Sequence, residues 1–185
     1  MFKNILCEVE YVGTDYFGFQ IQNKKKKEIT VQEVIEDALE KLFHKKIRIV
    51  YASRTDRGVH AQGQIINFKI DTKIPLSNIK NALNSFLPYD VKVKKIRKVS
   101  LDFHSRYNTL SKTYRYLIIN RRQPSVFWQK FCWQIEEKLD IDLMRKAAKK
   151  IKGKRDFSIF IKQPSNYKNC TREIKNIEVK KKAVQ

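Results

Sequence analysis

The sequence predicts an α+β fold, a mostly antiparallel sheet with helices on one face. Short tracts rich in β-branched and aromatic residues recur near the start, over residues 47–51, over 63–70 and over 91–99, as strands require. Between them, two segments carry apolar residues at helical spacing. Glycine, proline and short polar clusters punctuate the joints.

Phe2 to Val12 reads as the first strand, closed by a polar turn at Gly13-Thr14-Asp15. Tyr16-Phe17-Gly18-Phe19-Gln20 is an aromatic loop, and Lys24-Lys25-Lys26-Lys27 is a basic run. A helix is expected from Val31 to about Phe43. Thr30 and Glu33 form a capping box, and Val31, Ile35, Ala38, Leu39 and Leu42 supply its apolar face. Strands over Ile47–Tyr51 and Gly63–Ile70 follow. A second helix runs from about Ser77 to Phe86, stopped near Pro88, and a strand runs from Val91 to Val99 with a break at Lys94-Lys95. Strand, helix, strand, strand, helix, strand is the order of the ferredoxin-like split unit, whose free sheet face RNA-recognition-like domains turn toward a partner.

The second half restarts that order. A long strand is predicted over Lys112–Ile119, then a helix from about Ile141 to Lys152 between Asp140 as cap and Gly153 as stop. Phe157–Ile161 and Arg172–Lys181 each read as a strand. The expected organisation is two ferredoxin-like halves, residues 1–102 and 103–185, the second incomplete.

Forty Lys and Arg against nineteen Asp and Glu leave a formal charge of +21. Such an excess repels itself unless something anionic offsets it, and phosphates are the first candidate. The abundance of Lys, Ile and Asn also fits an AT-rich genome, which favours lysine without explaining the few acids. Cys7, Cys132 and Cys170 form neither a zinc spacing nor a disulfide framework, which points to a reducing cytoplasm. No stretch approaches a membrane span or the apolar run of a signal peptide.

One segment reads as chemistry: Ser53-Arg54-Thr55-Asp56-Arg57-Gly58-Val59-His60-Ala61. A single carboxylate, Asp56, sits between Arg54 and Arg57 on a loop joining two strands. Neighbouring positive charge favours the ionised form, which suits a nucleophile or base better than an acid. A polar turn with a surface ion pair would use the same residues.

That segment resembles the Gly-Arg-Thr-Asp-Ala-Gly-Val-His-Ala signature of the tRNA pseudouridine synthase A family. Further matches follow in the same order. Glu10-Tyr11-Val12-Gly13, Phe17-Gly18-Phe19-Gln20 and Thr30-Val31-Gln32 come first. Leu83-Asn84, Leu87-Pro88-Tyr89-Asp90-Val91 and Phe103-His104-Ser105-Arg106-Tyr107 lie in the middle. Lys112-Thr113-Tyr114-Arg115-Tyr116 and Gly153 to Phe160 complete the series. The resemblance implies isomerisation of uridine to pseudouridine in the anticodon stem-loop of tRNA, with no cofactor and no metal. It implies a homodimer that binds tRNA.

By the same resemblance Asp56 is the catalytic group, attacking the uracil ring or assisting at the ribose carbon. Tyr114 stacks on a flipped-out uracil. Arg54 keeps the carboxylate ionised and touches the backbone, and His60 orients the loop or contacts RNA; Arg106 and Lys112 suit phosphate contacts, and Arg57 is counted with the substrate-binding residues as added charge beside the nucleophile. Ser53 replaces the usual glycine, Arg57 an alanine, Val12 an acid and Phe19 a tryptophan. The family continues into a helix whose Phe-Leu-x-x-Met-Val-Arg stretch supplies an arginine to the catalytic aspartate. Here Lys180-Lys181-Lys182-Ala183-Val184-Gln185 stands instead, so the C-terminal part is expected to be missing. Either Arg54 or Arg57 then takes that arginine's place, or the chain binds tRNA, as a chaperone would, with impaired catalysis.

Overall fold

A computed structural model describes residues 2–22, 28–161, 163 and 169–182, and the Lys24 to Lys27 run lies outside them. Contacts divide the chain into two compact units, Met1–Tyr114 and Arg115–Gln185.

The first unit is built from β1 (Phe2–Tyr11), α1 (Val31–Phe43), β2 (Val50–Tyr51), β3 (Ala61–Asp71), α2 (Leu76–Phe86) and β4 (Val91–Val99). The sheet is antiparallel throughout, in the order β2-β3-β1-β4. Because successive side chains of a strand point to opposite faces, Ile5, Cys7, Val9 and Tyr11 of β1 meet Ile66, Phe68 and Ile70 of β3 in one core. Ile35 and Leu39 of α1 and Ile79 and Leu83 of α2 pack into the same core, so both helices cover one face. The α1 cap is the predicted one: Thr30 Oγ1 accepts from the Glu33 amide and the Glu33 carboxylate accepts from the Thr30 amide.

The other face carries a buried polar network. Asn4 Nδ2 donates to the carbonyls of Ser100 and Phe103 at 2.8 and 2.9 Å. Asn67 Nδ2 donates to Asn4 Oδ1, while Asn67 Oδ1 accepts from both the amide and the hydroxyl of Ser105. With its donors and acceptors paired, this network costs little to bury, and it fastens the Phe103–Ser105 segment across the sheet.

Several predicted strands are shorter than the pattern suggested. Ile47–Tyr51 contributes only Val50–Tyr51 as strand, because the Ile49 amide donates to Glu36 of α1 at 3.1 Å. Of the strand predicted over Lys112–Ile119 only Ile118–Ile119 is strand, within β5 (Ile118–Asn120). The stretch predicted as a strand over Phe157–Ile161 is instead a 3-10 turn at Ser158–Phe160, where the Asp156 carboxylate accepts from the Ser158 amide at 2.7 Å and bends the chain. Arg172–Lys181 is strand only over Thr171–Ile174, β8.

The second unit adds β6 (Trp133–Ile135), α3 (Ile141–Ile151) and β7 (Gly153–Asp156). Asp140 caps α3 as predicted, accepting from the amides of Asp142 and Leu143. The described strands form two separate ladders, β5 with β6 in parallel and β7 with β8 antiparallel. The whole is α+β with a mostly antiparallel sheet, as the sequence predicts.

Candidate active site

Between β2 and β3 the chain makes the loop that carries Arg54, Asp56 and Arg57. A second loop, between β1 and α1, is laid directly against it. The Phe19 amide donates to the Thr55 carbonyl at 3.0 Å, and the Gly58 amide to the Tyr16 carbonyl at 3.3 Å. So close an approach leaves no room for side chains. A Cβ on Gly18, whose φ is +85°, would lie 2.8 Å from the Thr55 oxygen, and one on Gly13 would lie 2.0 Å from the Val59 oxygen. Only glycine satisfies both the φ and the clearance at Gly18.

Side chains complete the brace. Tyr11 Oη and Thr55 Oγ1 share a hydrogen bond of 2.8 Å, and Tyr16 Oη donates to Asp90 Oδ1 at 2.8 Å. Burial, reinforced by the Asp90 carboxylate, pushes the Tyr16 phenol well above the usual tyrosine range, so it stays a donor. Gln64 Nε2 donates to the Ser53 carbonyl. At the far end of the loop His60 Nδ1 accepts from the Gly13 amide at 3.0 Å.

What the brace presents is an open cleft of about 300 Å³ lined by Phe17, Phe19, Arg54, Thr55, Asp56 and Arg57, with Gln20, Gln22 and Glu28 beside them. Asp56, Arg54 and Arg57 are all exposed. Among the described residues neither arginine forms an ion pair with Asp56. The Arg57 guanidinium instead lies over the Phe17 ring, 4.2 Å from its centroid. The carboxylate and two cations thus face one volume without cancelling each other, an arrangement fit to draw in an anion while leaving the carboxylate uncovered.

The remaining residues singled out from the sequence do not line this cleft. Arg106 and Lys112 are exposed, and Tyr114 is 70% exposed outside any strand. Sequence reasoning missed the bracing role of Tyr16 and Asp90, although both lie inside or beside matched segments; aromatic residues beside a glycine were the available signal. Among the described residues no group of three or more His, Cys, Asp or Glu is placed to hold a metal ion, and no helix is long and apolar enough to cross a membrane.

A split βαββαβ sheet holding an exposed carboxylate between two arginines in an open cleft is an arrangement that serves catalysis as well as binding. Comparison with known sequences specifies the family. The tRNA pseudouridine synthase family profile matches residues 8–108. The chain is 40% identical over 179 residues to tRNA pseudouridine synthase A of Thermoanaerobacter sp. (strain X514), covering 97% of this chain and 72% of that protein. The same-named protein of Caldicellulosiruptor saccharolyticus is 43% identical over 172 residues, 93% of this chain and 69% of its own length. That of Thermotoga maritima is 40% identical over 178 residues, 96% and 71% respectively. The chain belongs to the tRNA pseudouridine synthase family, a family of isomerases.

Proposed function

We propose that this chain converts uridine to pseudouridine in the anticodon stem-loop of tRNA, with Asp56 as the catalytic group. The observation that carries the reading is the single uncovered carboxylate, held on a braced loop between two arginines in an open cleft. The reaction exchanges the bond from the ribose carbon to a ring nitrogen for one to a ring carbon. The proton released from that carbon is matched by one taken up at the nitrogen, so atoms and electrons balance. A carboxylate serves either by attacking the uracil ring or by assisting at the ribose carbon.

In this reading Arg54 and Arg57 hold phosphates flanking the target nucleotide, and Arg106 and Lys112 extend that contact along the backbone. Tyr114, with its ring exposed, stacks on the extruded uracil. His60 keeps the loop in register with Gly13. The enzyme works in the cytoplasm as a homodimer on tRNA, a partner to which its +21 charge is suited.

Asp56→Asn tests this in a single-turnover assay on a tRNA transcript. Pseudouridine formation is expected to vanish while tRNA affinity holds or rises slightly, since one negative charge has gone. Substantial residual turnover rejects Asp56 as the catalytic group. Tight tRNA binding without turnover by the unsubstituted chain selects the chaperone-like alternative.

A further inference from the structure

A second hollow, of about 410 Å³, lies in the first unit toward the end of β3 remote from Asp56. It has a specific structural cause. The Ile49 amide is taken by Glu36, so β2 pairs only with Asn67 and Ile66, and this β2–β3 ladder does not extend to Phe68–Ile70. The Lys45–Arg48 segment forms one wall and β3 another. The third is the Asp102–His104 segment, tied down through the Phe103 carbonyl to Asn4 and Asn67.

Its charge is lopsided. Lys45, Lys46, Arg48 and Lys69 line it against two acids, Asp71 and Asp102. Lys45, Lys46 and Lys69 are exposed, and none makes an ion pair with a described residue. Arg48 is anchored by Glu36 at 2.6 Å with its side chain 78% exposed. Buried Ile47 and Phe68 give the hollow apolar walls, which concentrate the field of the cations above them. Helix-end electrostatics account for part of this, since Lys45 and Lys46 follow the C-terminus of α1, where cations are favoured. They do not account for Lys69, which comes from β3 and lines the same space.

We propose that this hollow is a second phosphodiester-binding groove, gripping the backbone of an RNA whose target nucleotide lies in the Asp56 cleft; it rests on the reading of tRNA as the substrate. From Ala61, at the signature-loop end of β3, to Asn67, where the groove begins, is a strand length of roughly 20 Å at about 3.3 Å per residue. RNA that reaches both places therefore extends beyond the target nucleotide itself. The groove reads backbone and shape rather than sequence, as contacts to a paired RNA stem do.

The test compares the full chain with K45Q/K46Q/K69Q, measuring binding of whole tRNA and of a stem-loop cut to the loop and a few base pairs, each over a series of salt concentrations. For whole tRNA the slope of log K against log salt is expected to shrink by about 2 to 3 in the variant, near one per lost phosphate contact. For the short stem-loop the change stays well under ~1. K45R/K46R/K69R restores the tRNA slope, and unchanged thermal unfolding excludes a helix-end effect. Equal losses on both RNAs would reduce the groove to general charge and overturn the proposal. Equal tRNA slopes in variant and unsubstituted chain also overturn it. If the unsubstituted chain binds no tRNA, the functional reading falls together with the groove; if both proteins bind and isomerise tRNA with the same salt slope, the groove alone falls.

Discussion

Residues up to Tyr114 turn their apolar side chains inward, whereas those from Arg115 onward largely display them. In the first unit Ile5, Val9, Leu39, Phe68 and Leu83 are all 2% exposed or less. In the second, Phe127 is 87% exposed, Ile159 85% and Trp133 64%, and only Ile119 and Ala148 among the described apolar residues are buried. Apolar content is not what separates them. The first unit stacks two helices on a four-stranded sheet, which makes two layers with a space between them to fill. The second has two separate two-stranded ladders and one helix among its described residues, and a two-stranded ladder buries little by itself. The contrast also explains where a precise site can stand. The Asp56 loop is held from beneath by Phe19, Tyr11 and Gly18, all seated on the packed unit, as loops that carry function on a rigid scaffold require.

The sharpest way to break this comparison is a matched pair of truncations. Leu39→Ala should cost about 2–5 kcal/mol of unfolding free energy, the ordinary range for emptying a core position. Phe127→Ala should stay within ~0.5 kcal/mol. Denaturant titration of the two variants checks it, and comparable losses would mean that Phe127 is buried in solution.

Gly18→Ala comes next. The positive φ and the 2.8 Å clash with the Thr55 oxygen should cost about 1–3 kcal/mol. Because the clash pushes on the loop that holds Asp56, pseudouridine formation should fall on the order of a hundredfold. A variant with normal turnover would show that the brace does not position the carboxylate.

At neutral pH the smallest effect, none at all, belongs to the buried acids of the first unit, and it grows only in alkali. Burial pushes the Cys7 thiol from 9.0 up to about 12. Burial also raises Tyr11, against hydrogen bonds to Thr55 and Gln64 that pull the other way, and it raises Tyr16 too. Above about pH 9 the unfolded chain releases protons that the folded chain retains, so fewer protons are bound unfolded and stability falls as pH rises. The loss should begin near pH 9 and continue to about pH 12. Urea midpoints taken from pH 7 upward should move accordingly, and a midpoint flat to pH 11 would contradict the buried thiol.

Features written in near neighbours are legible in the sequence. Thr30 and Glu33 mark the start of α1 because a capping box is a contact three residues long, and Asp140 marks α3 for the same reason. The signature loop draws attention to Asp56 because acid, arginines, glycine and histidine stand within nine consecutive positions. Everything that shapes the cleft lies between residues far apart. Tyr11 and Thr55 are 44 positions apart, Tyr16 and Asp90 74, and Asn4 and Ser100 96. Glu36 takes the Ile49 amide and cuts β2 short, which no local pattern signals. Lys112–Leu117 alternates like a strand, yet alternation only offers a ladder that a second strand must accept. The sequence by itself determined where the helices start and which carboxylate would stand between two arginines. The tertiary structure alone decided which of the predicted strands found partners, because a hydrogen bond or close approach between distant residues exists only once both have been brought to the same place.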